Sequence, residues 1–331
     1  MPGGAAGARR AAGPARRAQE RLLDLRRRPP DVDVTLTSIP FSGGIGYGNT
    51  CARRQRRAIG GRCSVAIDDD APRPPHRRFG EEGGRLSYGG YLRLPALLAQ
   101  QQPRSQAPDE LLFITVHQVY ELWFKLLLHE LESVREAMSS GELWQARHLF
   151  RRVHAVERVL VEQVEVLETM TPQDFLAFRS MLEPASGFQS VQFRELEFLS
   201  GLKDERYLGS FRHAEEADLA RLRRRLSEPT LWDAYLRALS LRGLPVSDDE
   251  IMGSLLTVAR DRRSHDALWQ LAEDLLIHDE TTALWRMRHV QMVERQIGTK
   301  SGTGGSTGAP YLRGRTRLHY FPLLWELRAW L

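Results

Sequence analysis

The sequence predicts an all-α fold, a helical bundle with irregular crossings, and three observations carry that expectation. From Leu86 onward apolar residues recur at i, i+3, i+4 and i+7 over long stretches, the period of a helix that buries one face. No stretch alternates apolar and polar residues for long enough to read as a half-buried strand. Helix-start signatures recur along the chain, with Thr171 and Pro172 ahead of Asp174, and Ser247 three residues before Glu250. Each places a side-chain acceptor where the first helical amides lack partners.

Residues 1–84 stand apart. They hold 13 of the 27 glycines, 8 of the 17 prolines, 16 arginines and no lysine. Such a segment has too little apolar surface to offset its ordering entropy, so it is expected to be a disordered tail. An arginine-rich tail suits anionic partners, or else resembles a transit peptide, against which Asp68, Asp69 and Asp70 weigh. A third reading is that the true start lies downstream and the tail is not native coding sequence. With nine acids the tail carries +7 of a chain that totals +5, which leaves the rest at −2. The pI near 9.4 therefore belongs to the tail, and no nucleic-acid partner is expected for the folded part, 85–331. Both cysteines, Cys51 and Cys63, also fall in the tail. The remainder has no disulfide framework and no C-x-x-C-H, which suits a reducing, cytoplasmic setting. No run of 18 apolar residues predicts a membrane span, and no apolar leader predicts secretion.

The helical part reads in order. Residues 87–102 bring Tyr88, Tyr91, Leu92 and Leu94 ahead of a short helix. Residues 109–137 open with two acids, favourable at the positive end of the helix dipole, and align Phe113, His117, Tyr120 and Phe124 on one face. Residues 142–169 form a long amphipathic helix in which His148 and His154, set among arginines, read as solvated or packing residues. Thr171 caps a short helix holding Phe175 and Arg179, and Pro184 stops it. Further helices fill 206–245, with Ser227 and Pro229 marking one start, and Ser247 to Glu250 opens another. In 284–297, Trp285, His289, Val293 and Ile297 follow at i+4, Gly298 sits where a C-cap is expected, and a glycine-rich loop runs to 308. Residues 317–331 supply a last helix rich in Leu and Trp.

His117 and His289 each sit inside an otherwise apolar stripe. The commoner role of such a residue is a packed imidazole with its ring nitrogens hydrogen-bonded. The sharper one is an imidazole offered to a metal or a haem iron. Spacing removes several metal sites. None of the ten histidines follows a glutamate by three, as the di-iron bundles need, and His129-Glu130 lacks the second histidine of H-E-x-x-H. A structural zinc site lacks its cysteines. A single-histidine, non-covalent haem survives. Arg179 reads as a surface ion-pair partner or as a fork for a carboxylate.

Four blocks, 86–94, 111–131, 167–197 and 284–313, strongly resemble the tryptophan 2,3-dioxygenase family, and the likeness runs from about Leu86 to the C-terminus. The resemblance implies an all-α homotetramer with haem b, ferrous when active, that inserts dioxygen across the indole C2–C3 bond of L-tryptophan to give N-formyl-L-kynurenine, the first step of tryptophan catabolism. It implies His289 as the axial iron ligand, His117 as the distal catalytic histidine facing the indole N–H, and Arg179 on the substrate carboxylate. Thr303 would meet the ammonium end, Phe113, Phe175 and Tyr91 would wall the pocket, and Tyr88 and Ser186 would lie at its edge. Tyr88 and Tyr91 would act on a neighbouring subunit. The alternative from another class is a non-enzymatic haem-binding sensor, for which an amino-acid clamp has no use.

Overall fold

Two long amphipathic helices set the architecture, each turning a stripe of large apolar side chains toward the other. The computed structural model describes residues 87–331, positions 212–213 and 305–306 excepted. The predicted tail lies outside the described residues. The chain divides into two units, whose described parts are 87–97 and 98–331. In the smaller, helix α1 (Tyr88–Tyr91) is capped by the Ser87 hydroxyl, which accepts from the Gly90 amide at 3.1 Å, and α2 (Leu94–Leu97) follows. The tyrosines expected to precede a helix thus form one.

In the larger unit, α3 (Asp109–Ser140) and α4 (Leu143–Glu168) form an antiparallel pair joined by Gly141 at φ 84°, a left-handed turn that glycine adopts without strain. Leu127, Leu131 and Val134 of α3 pack with Phe150, Val153 and Leu160 of α4 in one continuous core. Helix α10 (Arg262–Ile297) lies against α4, while α6 (Val191–Ser200) and α8 (Leu231–Leu241) pack on α3. The short α5 (Pro172–Arg179), α7 (Glu216–Ser227), α9 (Ile251–Arg260), α11 (Ala309–Arg315) and α12 (Pro322–Leu327) complete the unit. Among the described residues there is no strand, so the all-α expectation holds. Of the described helices, α3 alone combines the length and apolar character that a bilayer crossing needs. Here it is the spine of the bundle.

Several helix boundaries moved for local reasons. The Thr171 cap formed as predicted, with reciprocal bonds between Thr171 and Asp174. Ser227, however, closes α7, and the cap of α8 is Thr230, which exchanges bonds with Asp233. Ser247 spends its hydroxyl on the Glu250 carboxylate, and α9 starts only at Ile251 with no side-chain cap. The last helix is shorter than 317–331 because Pro322, lacking an amide donor, sits at its first turn. The residues ahead of it serve another purpose. The amides of Tyr320 and Phe321 donate to buried Asp279 at 2.9 and 3.1 Å, and the Trp325 indole adds a third bond at 2.9 Å.

Of the two roles the sequence left open for His154, the structure shows the packing one. It is buried, with Nδ1 3.5 Å from Glu157 and Nε2 3.4 Å from Asp274. Burial opposes its charge, but the bonds to Asp274 and Glu157 outweigh that and raise its pKa. Glu157 also meets Nδ1 of His278, whose Nε2 lies 2.8 Å from the Ser200 hydroxyl. This chain of polar groups ties α4, α6 and α10 together, and burial would be costly for any member left unpaired.

Candidate active site

Helices α3, α5, α6, α10 and α11 enclose a cavity of about 290 Å³, the scale at which small-molecule sites begin, ~300 Å³ and upward. Its walls are largely aromatic and aliphatic, among them Tyr120, Phe124, Phe193, Trp285, Val293 and Ile297. Of the predicted site residues, Phe113, His117, Phe175, Arg179, Ser186, His289 and Thr303 all line this one space. Tyr88 and Tyr91 belong to the smaller unit, where they are 77% and 70% exposed.

His289 comes from the last third of α10, one turn after Trp285, and the two rings stack with centroids 5.4 Å apart. By area the imidazole is half-buried, because one side of it borders the cavity. Burial, helped by the nearby His117, pushes its pKa down to about 4. Among the described residues neither ring nitrogen has a hydrogen-bond partner. A neutral imidazole with a free lone pair is competent to ligate a metal. No group of three or more metal-binding side chains exists among the described residues. A metal bound here would therefore need its other positions filled by a chelate, and a porphyrin is the group whose iron takes one axial histidine.

His117 lies near the middle of the first half of α3. Its Nδ1 is 2.7 Å from the Phe113 carbonyl, and since a carbonyl can only accept, Nδ1 carries the proton. In the neutral ring Nε2 is then an acceptor. Burial lowers the pKa, against the Phe113 bond and the charge of Glu121, so the neutral form is favoured. The Phe113 ring packs on His117 at 4.1 Å and on Phe175 at 5.7 Å. Phe178, which the sequence reading passed over, is fully buried and meets both phenylalanines edge-on at 5.6 and 5.5 Å. Its i+3 spacing from Phe175 was the available signal.

The loop 298–308 closes on α5 and the turn after it. Arg179 donates from Nη2 to the Ser301 carbonyl, and Thr303 Oγ1 donates to the Ala185 carbonyl at 2.6 Å. Two glycines make this approach feasible. A Cβ on Gly304 would lie 2.6 Å from that of Ser186, and one on Gly308, at φ 70°, would lie 2.5 Å from the Lys300 carbonyl. Gly298 ends α10 at φ 61° and ψ −124°, a positive-φ stop as expected but outside the left-handed helical region. The Ser186 hydroxyl accepts from the Phe188 amide at 3.4 Å, which stiffens the cavity edge.

Sequence reasoning also missed a charged cluster on this cavity. Glu197 is fully buried, and Arg194, Arg286 and Arg315 all bond it. The i+3 spacing of Arg194 and Glu197 was visible in the sequence, but the other two partners come from α10 and α11.

The fold and site together define a class: an all-α protein with a neutral, unpartnered histidine on a largely apolar cavity whose lining also holds a second histidine and an arginine. The model of the family described as "Tryptophan 2,3-dioxygenase" matches residues 73–243 and 245–331. A tryptophan 2,3-dioxygenase from a Nocardioides species is 61% identical over 258 residues, covering 76% of this chain and 97% of the relative. Those of Herpetosiphon aurantiacus and Myxococcus xanthus are 44% and 41% identical, covering 74% and 78% of this chain and 98% and 96% of the relatives. The chain belongs to the tryptophan 2,3-dioxygenase family. The match begins at residue 73, upstream of Leu86, where the first of the four resembling blocks starts.

Proposed function

We propose that this protein is a haem-dependent dioxygenase that converts L-tryptophan and dioxygen to N-formyl-L-kynurenine, opening tryptophan catabolism. The observation that carries the reading is the partnerless, neutral imidazole of His289 facing a cavity in which His117 presents a free acceptor. The family is haem-dependent, and the residues here fit the group: the His289 imidazole has no hydrogen-bond partner, much of the lining is apolar, and no group of three or more metal-binding side chains occurs among the described residues. His289 would hold the iron of haem b. When bound, the haem supplies a ferrous iron at which dioxygen is activated.

The chain's own residues then do the following. Phe113 and Phe175 clamp the indole ring, which is large, apolar and flat, in a slot of matching character. His117 Nε2 accepts the indole N–H, a donor that would otherwise be buried without a partner. Arg179 swings its fork from the Ser301 carbonyl to the substrate carboxylate, where a charge-assisted bidentate pair fixes orientation. Thr303 and Ser186 meet the amino-acid end, and the loop that carries Thr303 excludes water from the reacting atoms. In this reading the enzyme is a cytoplasmic homotetramer in which Tyr88 and Tyr91 complete a neighbour's pocket, and residues 1–84 lie outside the catalytic unit. A chain starting near residue 80 should keep haem, tetramer and activity; loss of folding would show that the tail packs on the core.

The alternative, a haem-binding sensor without chemistry, is disfavoured by the enzymes among the relatives and by the amino-acid clamp. Aerobic incubation of the ferrous holoprotein with L-tryptophan decides between them. Steady formation of formylkynurenine is expected. Tight tryptophan binding without turnover would restore the sensor.

A further inference from the structure

The cluster around Glu197 is electrically incomplete. Its two oxygens accept from Arg194 Nη1, from Arg286 Nη2 at 3.0 Å, and from Arg315 Nη2, 3.0 Å from each oxygen. Three guanidinium groups thus surround one carboxylate. Arg194 and Arg286 are only 3% and 5% exposed, and their Nε atoms are buried with no partner among the described residues. Neither neighbouring carboxylate hydrogen-bonds the three arginines: Asp279 accepts from the Tyr320 and Phe321 amides, and Asp204 holds the Arg206 fork while its charge also reaches Arg315 from a distance. The arginines are also braced: Tyr207 lies under the guanidinium of Arg194 at 3.6 Å and of Arg315 at 5.1 Å, and the Tyr320 hydroxyl is 3.1 Å from Arg286. A wall that held Glu197 alone would not need three cations. Burying charge in excess is unfavourable unless something of opposite sign meets it.

All three arginines and Glu197 line the same cavity as His289, and Arg286 lies one helical turn before it. We propose that this wall is an anion seat for the carboxylate side chains of the porphyrin cofactor, with Arg315 as the accessible donor and Arg194 and Arg286 as the buried positive field behind it. The proposal rests on the haem reading above. Glu197 holds the guanidinium groups in place, and the unmatched positive charge faces the propionates that a haem carries on one edge. The seat would fix which edge of the macrocycle enters first, as His289 alone cannot.

The test exchanges charge on both partners. Full-length apoprotein, wild type and Arg315→Gln, is loaded with haem or with haem dimethyl ester, whose carboxylates are blocked, and loss of each to excess apomyoglobin is timed. Arg315→Lys serves as the charge-keeping control. Removing one partly exposed charge-assisted pair should speed loss of free-acid haem about tenfold, while the ester should leave wild type and variant at the same rate. Arg315→Lys should recover most of the difference. Equal acceleration of both porphyrins would mean that Arg315 only supports the fold, and no acceleration would mean that the seat does not exist; either overturns the proposal. So would stabilisation of wild-type apoprotein by acetate that is lost in Arg315→Gln, if the two porphyrins still behave alike, since the seat would then take a free carboxylate. Failure of wild type to take up either porphyrin would sink the haem reading itself, and the proposal with it.

Discussion

Keeping His289 neutral leaves a trace in the stability of the apoprotein that owes nothing to catalysis. In the unfolded chain a histidine titrates near 6.5, whereas burial holds His289 at about 4. Below pH 6.5 the unfolded state therefore binds a proton that the folded state refuses, and stability falls as pH falls. Above pH 6.5 neither state is protonated and the difference vanishes. The loss develops between about 6.5 and 4 and levels off below. Between pH 7.5 and 5.0 the two values give a loss of roughly 2 kcal/mol. That figure hardly changes if the folded pKa lies lower, because at pH 5 the folded ring is already neutral. Replacing His289 with Leu keeps an apolar side chain beside Trp285 and removes the titration. Urea unfolding of wild-type and His289→Leu apoprotein at the two pH values isolates the term, since groups common to both cancel. Wild type should lose roughly 2 kcal/mol more than the variant on acidification. Identical pH dependence would refute the reasoning: the imidazole would then be as well hydrated in the fold as outside it, and the cavity would not be the apolar enclosure described. Haem binding should leave the onset near 6.5 and carry the loss on to lower pH, because ligation also demands the neutral ring and lowers the folded-state pKa further.

The remaining predictions concern haem, substrate and core. His289→Ala should strip haem and abolish activity, while His117→Ala should keep stoichiometric haem with the defect confined to turnover; purified haem content decides, and the reverse pattern would exchange the two roles. Because His117 accepts only when neutral and burial lowers its pKa, kcat/KM should hold from neutral pH down past 6.5 and fall at more acidic values, and a profile falling already near 7 would contradict the acceptor role. Arg179→Leu should weaken transition-state binding by about 2–5 kcal/mol, read mainly as lower kcat/KM at limiting substrate; near-wild-type kcat/KM would place the carboxylate elsewhere. Phe150, fully buried between the long helices, should destabilise the fold by about 3–5 kcal/mol when changed to Ala, with little effect on haem uptake by the fraction that is folded.

What the sequence by itself determined was local. The stripes of α3 and α10, the Thr171 capping box and the positive-φ stop at Gly298 are set by groups within four residues of one another. Such patterns are legible because helix geometry fixes which near neighbours share a face. His117 and His289 could be singled out on the same basis, but not paired. Their shared cavity depends on how α3 and α10 pack, and side chains 172 positions apart in the chain carry no periodic mark of that. The roles of Arg179 and Thr303 came from family likeness and not from spacing. Only the tertiary structure decided that the loop bonds back to α5 and the turn beyond it. It also decided what the polar residues of the core do. His154, set among arginines, reads as solvated or packing, and only α10, which brings Asp274 to it and His278 to Glu157, decides for packing. Glu197 shows one i+3 partner in the chain, yet acquires Arg286 and Arg315 from elements about ninety and one hundred and twenty residues later. A buried charge must be answered by whatever the fold brings within hydrogen-bond reach, and that is a property of packing, which no single helix contains.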